Sequence, residues 1–540
     1  MIAYLIMKLK NILYKGALLT VSALTLASCS DFLDKMPDNR TTMDSPSKIA
    51  GLLTTAYNTA SPQLMNELMS DNSDYMGPTN SLGNREGDEM YFWEEDKENG
   101  NDSPERIWIN LYECIAKANQ ALESIEELGG ATTSELQNTK GEALLLRAYN
   151  HFLLTNEFCM AYNSETSTKD LGVYYSKQVE QLTGNQTERG TVAEDYANIA
   201  ADIEAGIPLL NDNYTVPKYH FTKKAAYAFA VRFYLYYEKW DMAKKYADLL
   251  LGSNPGASLR NYAELEAMPL SDSQQAVKIA EAYCSAEKEC NLLIQTSVSS
   301  AGLALGPWRY DKRWSHTNYL SETEGTQSDN VWGGSEALIW KPFTSNQGES
   351  DYAVTMRVPY EMEYTDQVKG YGYYHALNVS FTLGEALLNR AEAEVMLKDY
   401  DAACEDMNTW MHNYFNTDSV LTPESVQKYF KRIPYAYSDA KKMTASPKKH
   451  LNPHFAIDAE GSVQESLLQC VLDLRRIETL HAGLRWMDIK RYNIEIPRRL
   501  IGADGEPQRN LDWLTKDDPR MAVQIPMSIV AAGVAKNPRN

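Results

Sequence analysis

The spacing of hydrophobic and polar residues predicts long amphipathic helices along most of the chain. Apolar residues recur three and four positions apart, and several runs open with Ser or Thr followed three residues later by Glu, a capping box that satisfies free backbone N–H groups. The boxes pair Thr132 with Glu135, Thr191 with Glu194, Thr382 with Glu385 and Ser462 with Glu465. We expect helices at about 47–60, 104–128, 133–159, 191–210, 222–237, 240–251, 382–397, 400–415 and 463–482.

Two of these helix pairs have tetratricopeptide spacing. Ala243 and Ala403 each close a short motif that follows an Ala- and Leu-rich helix, and a small residue lies twelve positions earlier in each copy, Val231 and Ala391. Small residues at these positions let the two helices of a pair cross closely. Because the copies are about 160 residues apart, they predict helix hairpins interrupted by a large insertion rather than a regular solenoid.

The insertion, at about residues 290–377, differs in composition from the helical runs. It is rich in Gly, Ser, Asn and aromatic residues, with a tyrosine cluster at 371–374, and a similar loop lies at 71–101. Loops of this kind on a rigid helical scaffold usually carry binding surfaces. We therefore predict a mostly α fold, in which helix hairpins pack against a loop-rich, irregular ligand-binding half with little β-structure.

The N-terminal residues resemble an export signal. Basic residues precede an apolar run over 17–27, which is too short to span a membrane, and small residues lie directly before Cys29. This pattern predicts a bacterial lipoprotein, with Cys29 lipidated and exposed as the mature N-terminus. An ordinary cleaved signal peptide with an incidental cysteine is the alternative. The predicted organisation is a signal peptide at 1–28, a lipidated tether at 29–46 and a single domain at 47–540.

Charge and cysteine content narrow the class of protein. The chain has 540 residues, with 52 Lys and Arg against 73 Asp and Glu, and a formal net charge of −21. This balance argues against a nucleic-acid partner, because phosphate binding needs an excess of basic surface. Seven cysteines in a chain of this length are too few for a disulfide framework, and those after Cys29 are expected to be buried thiols.

Catalytic and metal-binding signatures are absent from the sequence. We find no G-x-S-x-G, H-E-x-x-H or P-loop motif. His450 and His454 have a spacing that suits a metal on a helix, but Pro453 between them argues against a helix there. A glycosidase-like acid pair arises by chance among so many carboxylates. We predict no catalysis, metal or cofactor, and a helical glycoside hydrolase or lyase remains the enzymatic alternative.

The composition of the two loops suits the capture of a sugar. A pyranose presents C–H bonds on its faces and hydroxyls on its edges, so binding needs flat aromatic rings and polar side chains around them. Trp108, Trp240 and Trp486 lie on predicted helices and are assigned to packing instead. The candidate ligand-binding residues are Arg85, Tyr91, Trp93, Trp308, Tyr310 and Trp332.

Short motifs from residue 29 to about residue 526 carry a resemblance to a known family. They are Cys29-Ser30-Asp31-Phe32-Leu33-Asp34, Arg147-Ala148-Tyr149, Leu171-Gly172-Val173, Arg189-Gly190-Thr191-Val192 through Asp195-Tyr196 to Asp202, Arg390-Ala391-Glu392-Ala393, Gly483-Leu484-Arg485-Trp486-Met487-Asp488 with Arg491, and Ile525-Pro526. Their order and spacing resemble the SusD/RagB family of outer-membrane nutrient-binding lipoproteins. The chain departs from the family pattern at Ala482, where Glu is usual, and at 410–414, where a basic-rich segment is usual.

The resemblance implies about four tetratricopeptide-like units packed against an irregular half. It implies a lipid-anchored protein on the outer membrane, facing the cell surface, that binds oligosaccharide and delivers it unchanged to a SusC-like TonB-dependent transporter. A peptide ligand, as in the RagB branch, is the alternative among binding proteins. A purely architectural surface protein is the third possibility.

Overall fold

Helices form most of the structure, as the hydrophobic pattern predicts. The computed structural model describes residues 43–179, 188–308, 311–345 and 351–539, so that the predicted signal peptide and Cys29 lie outside the described residues. The α-helices are α1 (Pro46–Leu53), α2 (Gln63–Met69), α3 (Arg85–Tyr91), α4 (Pro104–Glu127), α5 (Ser134–Phe158), α6 (Val192–Gly206), α7 (Lys223–Tyr236), α8 (Trp240–Leu251), α9 (Tyr262–Glu266), α10 (Ser273–Cys284), α11 (Ala301–Leu305), α12 (Asn318–Thr323), α13 (Leu383–Met396), α14 (Tyr400–Tyr414), α15 (Pro423–Arg432), α16 (Val463–Glu478), α17 (Arg485–Tyr492) and α18 (Met527–Ala531).

Three small sheets accompany the helices. The strands are β1 (Asp74–Tyr75), β2 (Asn291–Val298), β3 (Trp314–Ser315), β4 (Phe343–Ser345), β5 (Tyr352–Val354), β6 (Glu361–Asp366), β7 (Tyr371–Thr382), β8 (Ile496–Ile501) and β9 (Pro507–Leu514). They pair in the orders β3-β1-β8-β9, β2-β7-β6 and β4-β5. The fold is thus mostly α with little β-structure, as expected, and the insertion contributes most of the strands.

The predicted long helices are all present, with corrections at some ends. The first helix was expected to reach residue 60 but ends at Leu53, where the hydroxyls of Thr54 and Thr55 bond back to the carbonyls of Gly51 and Leu52, both at 2.8 Å. Such side-chain bonds compete with helix propagation. The predicted box at Thr132 is also wrong, because the residue that caps α5 is the next one, Thr133. The box at Thr191 is confirmed.

The two hairpins with tetratricopeptide spacing, α7–α8 and α13–α14, are neighbours in space. Helix α8 packs against α13, and Lys244 of α8 forms an ion pair with Glu394 of α13 at 2.8 Å. Val231, Ala243, Ala391 and Ala403 are fully buried, which confirms the close crossings predicted from the spacing. The insertion is therefore looped out between two consecutive hairpins.

Both hairpins turn through a residue with a left-handed backbone. Glu238 (φ 59°) and Lys398 (φ 64°) lie at equivalent positions, just before the second helix of each pair. This conformation is unfavourable for a residue with a Cβ atom. The same strained turn in both copies supports their description as one repeated unit.

Strands β2 and β7 hold the base of the insertion together. They run antiparallel from the pair Asn291 and Thr382 to the pair Val298 and His375. The end of β7 leads directly into α13, whose first turn is capped by Thr382. The segment between the two strands therefore leaves the helical scaffold and returns to it at one place.

Four of the five arginines in the family-like motifs, all except Arg189, lie in buried ion pairs. Arg147 of α5 makes two bonds of 2.7 Å to Asp202 of α6, and Arg491 of α17 bonds Glu392 of α13 at 2.6 Å. Arg485 pairs with Asp71 at 2.8 Å. Breaking such a buried pair from one side is strongly destabilising. These motif residues therefore stabilise the fold and do not form a ligand site.

A second group of buried charges connects the insertion to the rest of the domain. Glu324, which follows α12, contacts Lys449, Arg476 and Arg499, and Arg499 also pairs with Asp74 at 2.9 Å. Burial alone would raise the pKa of Glu324, but the three cations lower it to about 2. Glu324 is fully buried and ionised, and its contacts fix the insertion to β8 and α16.

Candidate functional site

Two serines that follow β2, Ser299 and Ser300, hold the candidate site together, and we call them the serine link. The carboxylate of Asp102 accepts hydrogen bonds from the Ser299 hydroxyl and from the backbone N–H and hydroxyl of Ser300. On the other side, the Ser299 N–H donates to the carbonyl of Tyr374 in β7. The short helix α11 begins directly after this link. Asp102 thus fixes α11 between the 71–101 loop and the β6–β7 hairpin.

Three aromatic rings from the insertion form a stacked row beside α11, which we call the aromatic row: Trp308, Tyr360 and Tyr374. The ring centroids of Tyr360 and Tyr374 are 4.6 Å apart with planes 19° apart, and those of Trp308 and Tyr360 are 6.3 Å apart with planes 26° apart. Tyr374 is 42% exposed, and the other two residues are half-buried. The row therefore presents aromatic surface to solvent.

Gly302 of α11 determines how closely the row approaches the helix. A Cβ atom at this position would collide with the carbonyl of Pro359 and the backbone of Tyr360. The indole N–H of Trp308 donates to the carbonyl of Gly302 at 2.6 Å. The absence of a side chain at Gly302 thus allows Tyr360 to pack directly on α11, and the absence of one at Gly306 leaves room for the Trp308 indole.

The β6–β7 hairpin exposes further tyrosines next to the row. Tyr364, Tyr371 and Tyr373 are 53%, 66% and 56% exposed. Side chains alternate between the two faces of a strand, so that Tyr373 projects on the opposite face from Tyr374. The hairpin therefore has aromatic surface on both faces. Only the face that carries Tyr374 continues the aromatic row.

A cleft of about 220 Å³ lies on the other side of α11. Gly87 of α3 contributes to its shape, because any side chain there would overlap the indole ring of Trp314. The cleft is lined by the apolar residues Leu64, Leu68, Leu82, Met90, Leu303, Ala304 and Trp314 and by Ser81, Asn84, Glu86, Ser300 and Lys312. Apolar walls with a few polar groups are typical of small-molecule sites.

Two ionisable groups in the cleft are strongly perturbed. Burial raises the pKa of Glu86 to about 7, and the charge of Asp102 adds to the effect. Burial lowers the pKa of Lys312 to about 7. The Lys312 ammonium donates to the carbonyl of Gly306 and lies 4.8 Å from the ring centroid of Tyr352. Both groups thus change their charge near neutral pH.

The sequence-predicted candidates are distributed unevenly around this site. Trp308 is a member of the aromatic row. Arg85 was expected in a loop but begins α3; its side chain is 59% exposed and pairs with Glu89 at 2.8 Å and with Glu98 at 3.5 Å. Tyr310 lies outside the described residues. A ligand contact at each of these three positions stays a prediction.

Tyr91 and Trp93 were expected to be exposed, and this expectation is wrong. Tyr91 is fully buried at the end of α3 and stacks on Tyr75, with centroids 5.6 Å apart. Trp93 is 6% exposed, donates its indole N–H to the carbonyl of Met69, and lies 3.7 Å from the guanidinium of Arg498. The ring of Tyr91 is enclosed by protein groups, whereas Trp93, although nearly buried, lines a small cavity together with Met65 and Arg520.

Trp332 is likewise a core residue rather than an exposed loop aromatic. It is 1% exposed, and its ring stacks on Phe415 with centroids 4.3 Å and planes 12° apart. Trp108 and Trp486 are buried as expected. Trp240 is only half-buried, and it contacts the edge of Phe455. The Gly- and Asn-rich sequence around Trp332 does not indicate that its ring packs on Phe415, which lies 83 positions later in the chain.

Tyr360 and Tyr374 are not among the candidate ligand-binding residues that were predicted from the sequence. The cluster at 371–374 was visible as a possible signal, but which of its tyrosines joins the row depends on strand register. Tyr374 pairs with Met362 across β6, and this register places it toward Tyr360. No local pattern fixes such a long-range register.

The described part of the chain shows no metal cluster and no membrane-spanning helix. Among the residues that the structure describes, no three or more His, Cys, Asp or Glu side chains are grouped so that they could hold an ion. Within the same residues, no helix combines the length and the apolar composition needed to cross a membrane. His450 and His454 lie apart in exposed ion pairs with Glu460 and Asp517.

Comparisons with known proteins agree on one family. The family described as "Starch-binding associating with outer membrane" matches residues 31–235, and the SusD family matches residues 307–524. Together the two matches cover more than half of the chain. No curated protein matches by sequence.

Solved structures share the fold over nearly the whole chain. A SusD superfamily protein from Bacteroides thetaiotaomicron is 18% identical with a TM-score of 0.60, covering 92% of this chain and 100% of its own. A SusD-like carbohydrate binding protein from Bacteroides vulgatus is 15% identical with a TM-score of 0.60, covering 90% and 96%. A SusD-like protein from Bacteroides fragilis is 15% identical with a TM-score of 0.58, covering 93% and 98%. With the two family matches, this shared fold shows that the chain belongs to the SusD family.

Proposed function

We propose that this protein is a glycan-binding lipoprotein of the cell surface. Lipid on Cys29 holds it on the outer membrane, and it captures oligosaccharide without chemical change. It then delivers the oligosaccharide to a SusC-like TonB-dependent transporter. Membership of the SusD family supports this assignment.

The observation that carries the proposal is the partly exposed aromatic row. Sugar rings present C–H groups on their faces, which pack well on aromatic planes. The tyrosine hydroxyls and the backbone groups around α11 provide hydrogen-bond partners for the hydroxyls at the ring edges. Because the rings cover part of one another, the proposed contact is a sugar packed on Tyr374, the most exposed member, with the rest of the glycan along the edges of the row.

The cleft beside α11 provides the second half of the proposed site. It lies on the other side of the same short helix, and in this proposal an extended glycan that packs on the row reaches around α11 to the cleft. Its polar residues Ser81, Asn84 and Ser300 are of the kind that bind hydroxyl groups.

The proposal is tested with purified protein that lacks residues 1–29. We expect weak binding to at least one polysaccharide or oligosaccharide of a broad panel, and recovery of the ligand intact after long incubation. Time-dependent cleavage would place the protein among the enzymes. Binding to peptides and to no glycan would support the RagB-like alternative, and binding to neither would support an architectural role.

Delivery to a transporter needs a separate experiment. We expect the native lipoprotein to co-purify with a TonB-dependent barrel when the outer membrane is dissolved in a mild detergent. Isolation of the lipoprotein alone under conditions that keep other outer-membrane complexes intact would contradict this part of the proposal.

A further inference from the structure

Carboxylates are strongly concentrated on both sides of the aromatic row. Residues 85–102 contain eight acidic side chains and two basic ones, and residues 361–375 contain three acidic side chains and one Lys. Asp102 binds the serine link that contacts Tyr374, and Glu363 lies opposite Tyr373 on the neighbouring strand. We call these two segments the acidic rim.

The basic groups near the site offset only part of this charge. His375 contacts Glu363 at 2.8 Å. Arg85 is engaged by Glu89 and Glu98, and Lys369 pairs with Asp366 at 3.1 Å. Arg313 pairs with Asp88 at 2.6 Å. Lys312 is buried under the cleft and donates to a backbone carbonyl. The described residues around the row therefore leave an excess of negative charge.

Neighbouring carboxyl groups in the acidic rim perturb one another. Asp96 lies beside Glu89 and Glu86 in one segment, and Glu281 of α10 lies beside Glu361 in the other. Because nearby like charges disfavour ionisation, burial and these neighbours raise the pKa of Asp96 to about 7 and also raise the pKa of Glu281.

We infer that the aromatic row selects neutral or amine-bearing glycans and excludes glycans that carry uronate or sulfate groups. This inference rests on the proposed function, since it names the substrate class of the same site. An anionic sugar stacked on Tyr374 would lie within about one Debye length, ~8–10 Å, of both rim segments. Its charge would meet uncompensated carboxylates there, whereas a neutral ring would meet only aromatic and hydroxyl groups.

The test compares three forms of one polysaccharide. The neutral polysaccharide that binds best in the panel is used together with its C6-oxidised form, which carries carboxylates, and an aminated form. Affinities for the full-length lipoprotein in detergent are measured by affinity electrophoresis and titration calorimetry at low and high salt. We expect the oxidised form to bind at least about tenfold more weakly than the neutral form at low salt. At high salt the two affinities should become similar, because the charges are screened.

A pair of variants locates the origin of the selectivity. In the double variant Glu361→Gln with Glu363→Gln, we expect the ratio between neutral and oxidised affinities to fall severalfold at low salt. The matched control replaces Glu123 and Glu127 by Gln; both are exposed near the far end of α4, about 25–35 Å from its first turn. The control should leave the ratio unchanged.

The outcomes separate the two proposals. Equal affinity for neutral and oxidised forms at low salt would overturn the charge selectivity and leave glycan binding intact. An equal change of the ratio in the rim variant and in the control would also overturn it, because the effect would then come from overall charge. Binding of none of the three forms would overturn the proposed function itself.

Discussion

Replacing Tyr374 by Ala tests the aromatic row directly. The ring is 42% exposed and stacks on Tyr360 at 4.6 Å. An aromatic pair stabilises a fold by about 0.5–1.5 kcal/mol beyond the area that it buries, so we expect the free energy of unfolding to fall by at least that amount but by less than the about 3–5 kcal/mol of a fully buried ring. The variant should in addition lose ligand affinity.

The expected loss of affinity follows from the stacking surface that is removed. Deleting an aromatic ring that stacks on a nucleic-acid base costs about 1–3 kcal/mol, and we apply that range to a sugar face. It corresponds to roughly a 5- to 150-fold weaker affinity. Titration calorimetry with the best-binding glycan gives the affinity, and thermal unfolding gives the stability of the same sample.

Tyr219→Ala is the matched control. Tyr219 is also 42% exposed, and it lies in a short 3₁₀ turn, Pro217–Tyr219, outside the insertion. We expect this variant to bind glycan as the unmodified protein does. If Tyr374→Ala bound normally, or if both variants lost affinity equally, the aromatic row would not be the glycan-binding surface.

Four further predictions follow from individual residues. Trp332→Ala should lower the unfolding free energy by about 3–5 kcal/mol in denaturant titrations while glycan affinity is kept; normal stability would contradict its core position. Glu86→Gln should flatten the pH dependence of stability: the raised pKa means that the Glu86 contribution is full below about pH 4.5 and is lost as the pH rises through about 7, so an unchanged pH profile of thermal unfolding would refute it. Lys449→Met should destabilise the fold by about 3–5 kcal/mol, because it leaves the buried Glu324 carboxylate with fewer cations; equal denaturation midpoints would contradict this. Cys29→Ala should give an unlipidated precursor that does not reach the cell surface, and normal surface labelling and acyl labelling would exclude the predicted anchor.

The sequence predicts the helical scaffold well because its signals are local. The spacing of Val231 with Ala243 and of Ala391 with Ala403 identifies both hairpins, and the fully buried state of all four residues confirms it. What the spacing could not show is that the two hairpins pack on each other, since this contact depends on how the insertion closes through β2 and β7.

The site was harder to predict because exposure depends on distant partners. Trp308 and Trp332 have similar Gly-containing surroundings in the sequence, yet one joins the aromatic row and the other is covered by Phe415. In the same way, Trp93 is covered by Arg498 from the other end of the chain. Composition therefore located the loop-rich insertion but could not separate its surface rings from its core rings.

The position of the insertion means that the aromatic row and the helical scaffold are encoded in separable parts of the gene. All three members of the aromatic row lie after β2 and before α13, with Tyr374 in β7 itself, and the helices on either side of this stretch pack together. Recombination that exchanged this one contiguous stretch between related genes would deliver a new recognition surface in a single event. Glu324 limits such exchange. It lies in the exchanged stretch, whereas its buried partners Lys449 and Arg499 lie in the part that stays. A replacement stretch must therefore carry an equivalent carboxylate.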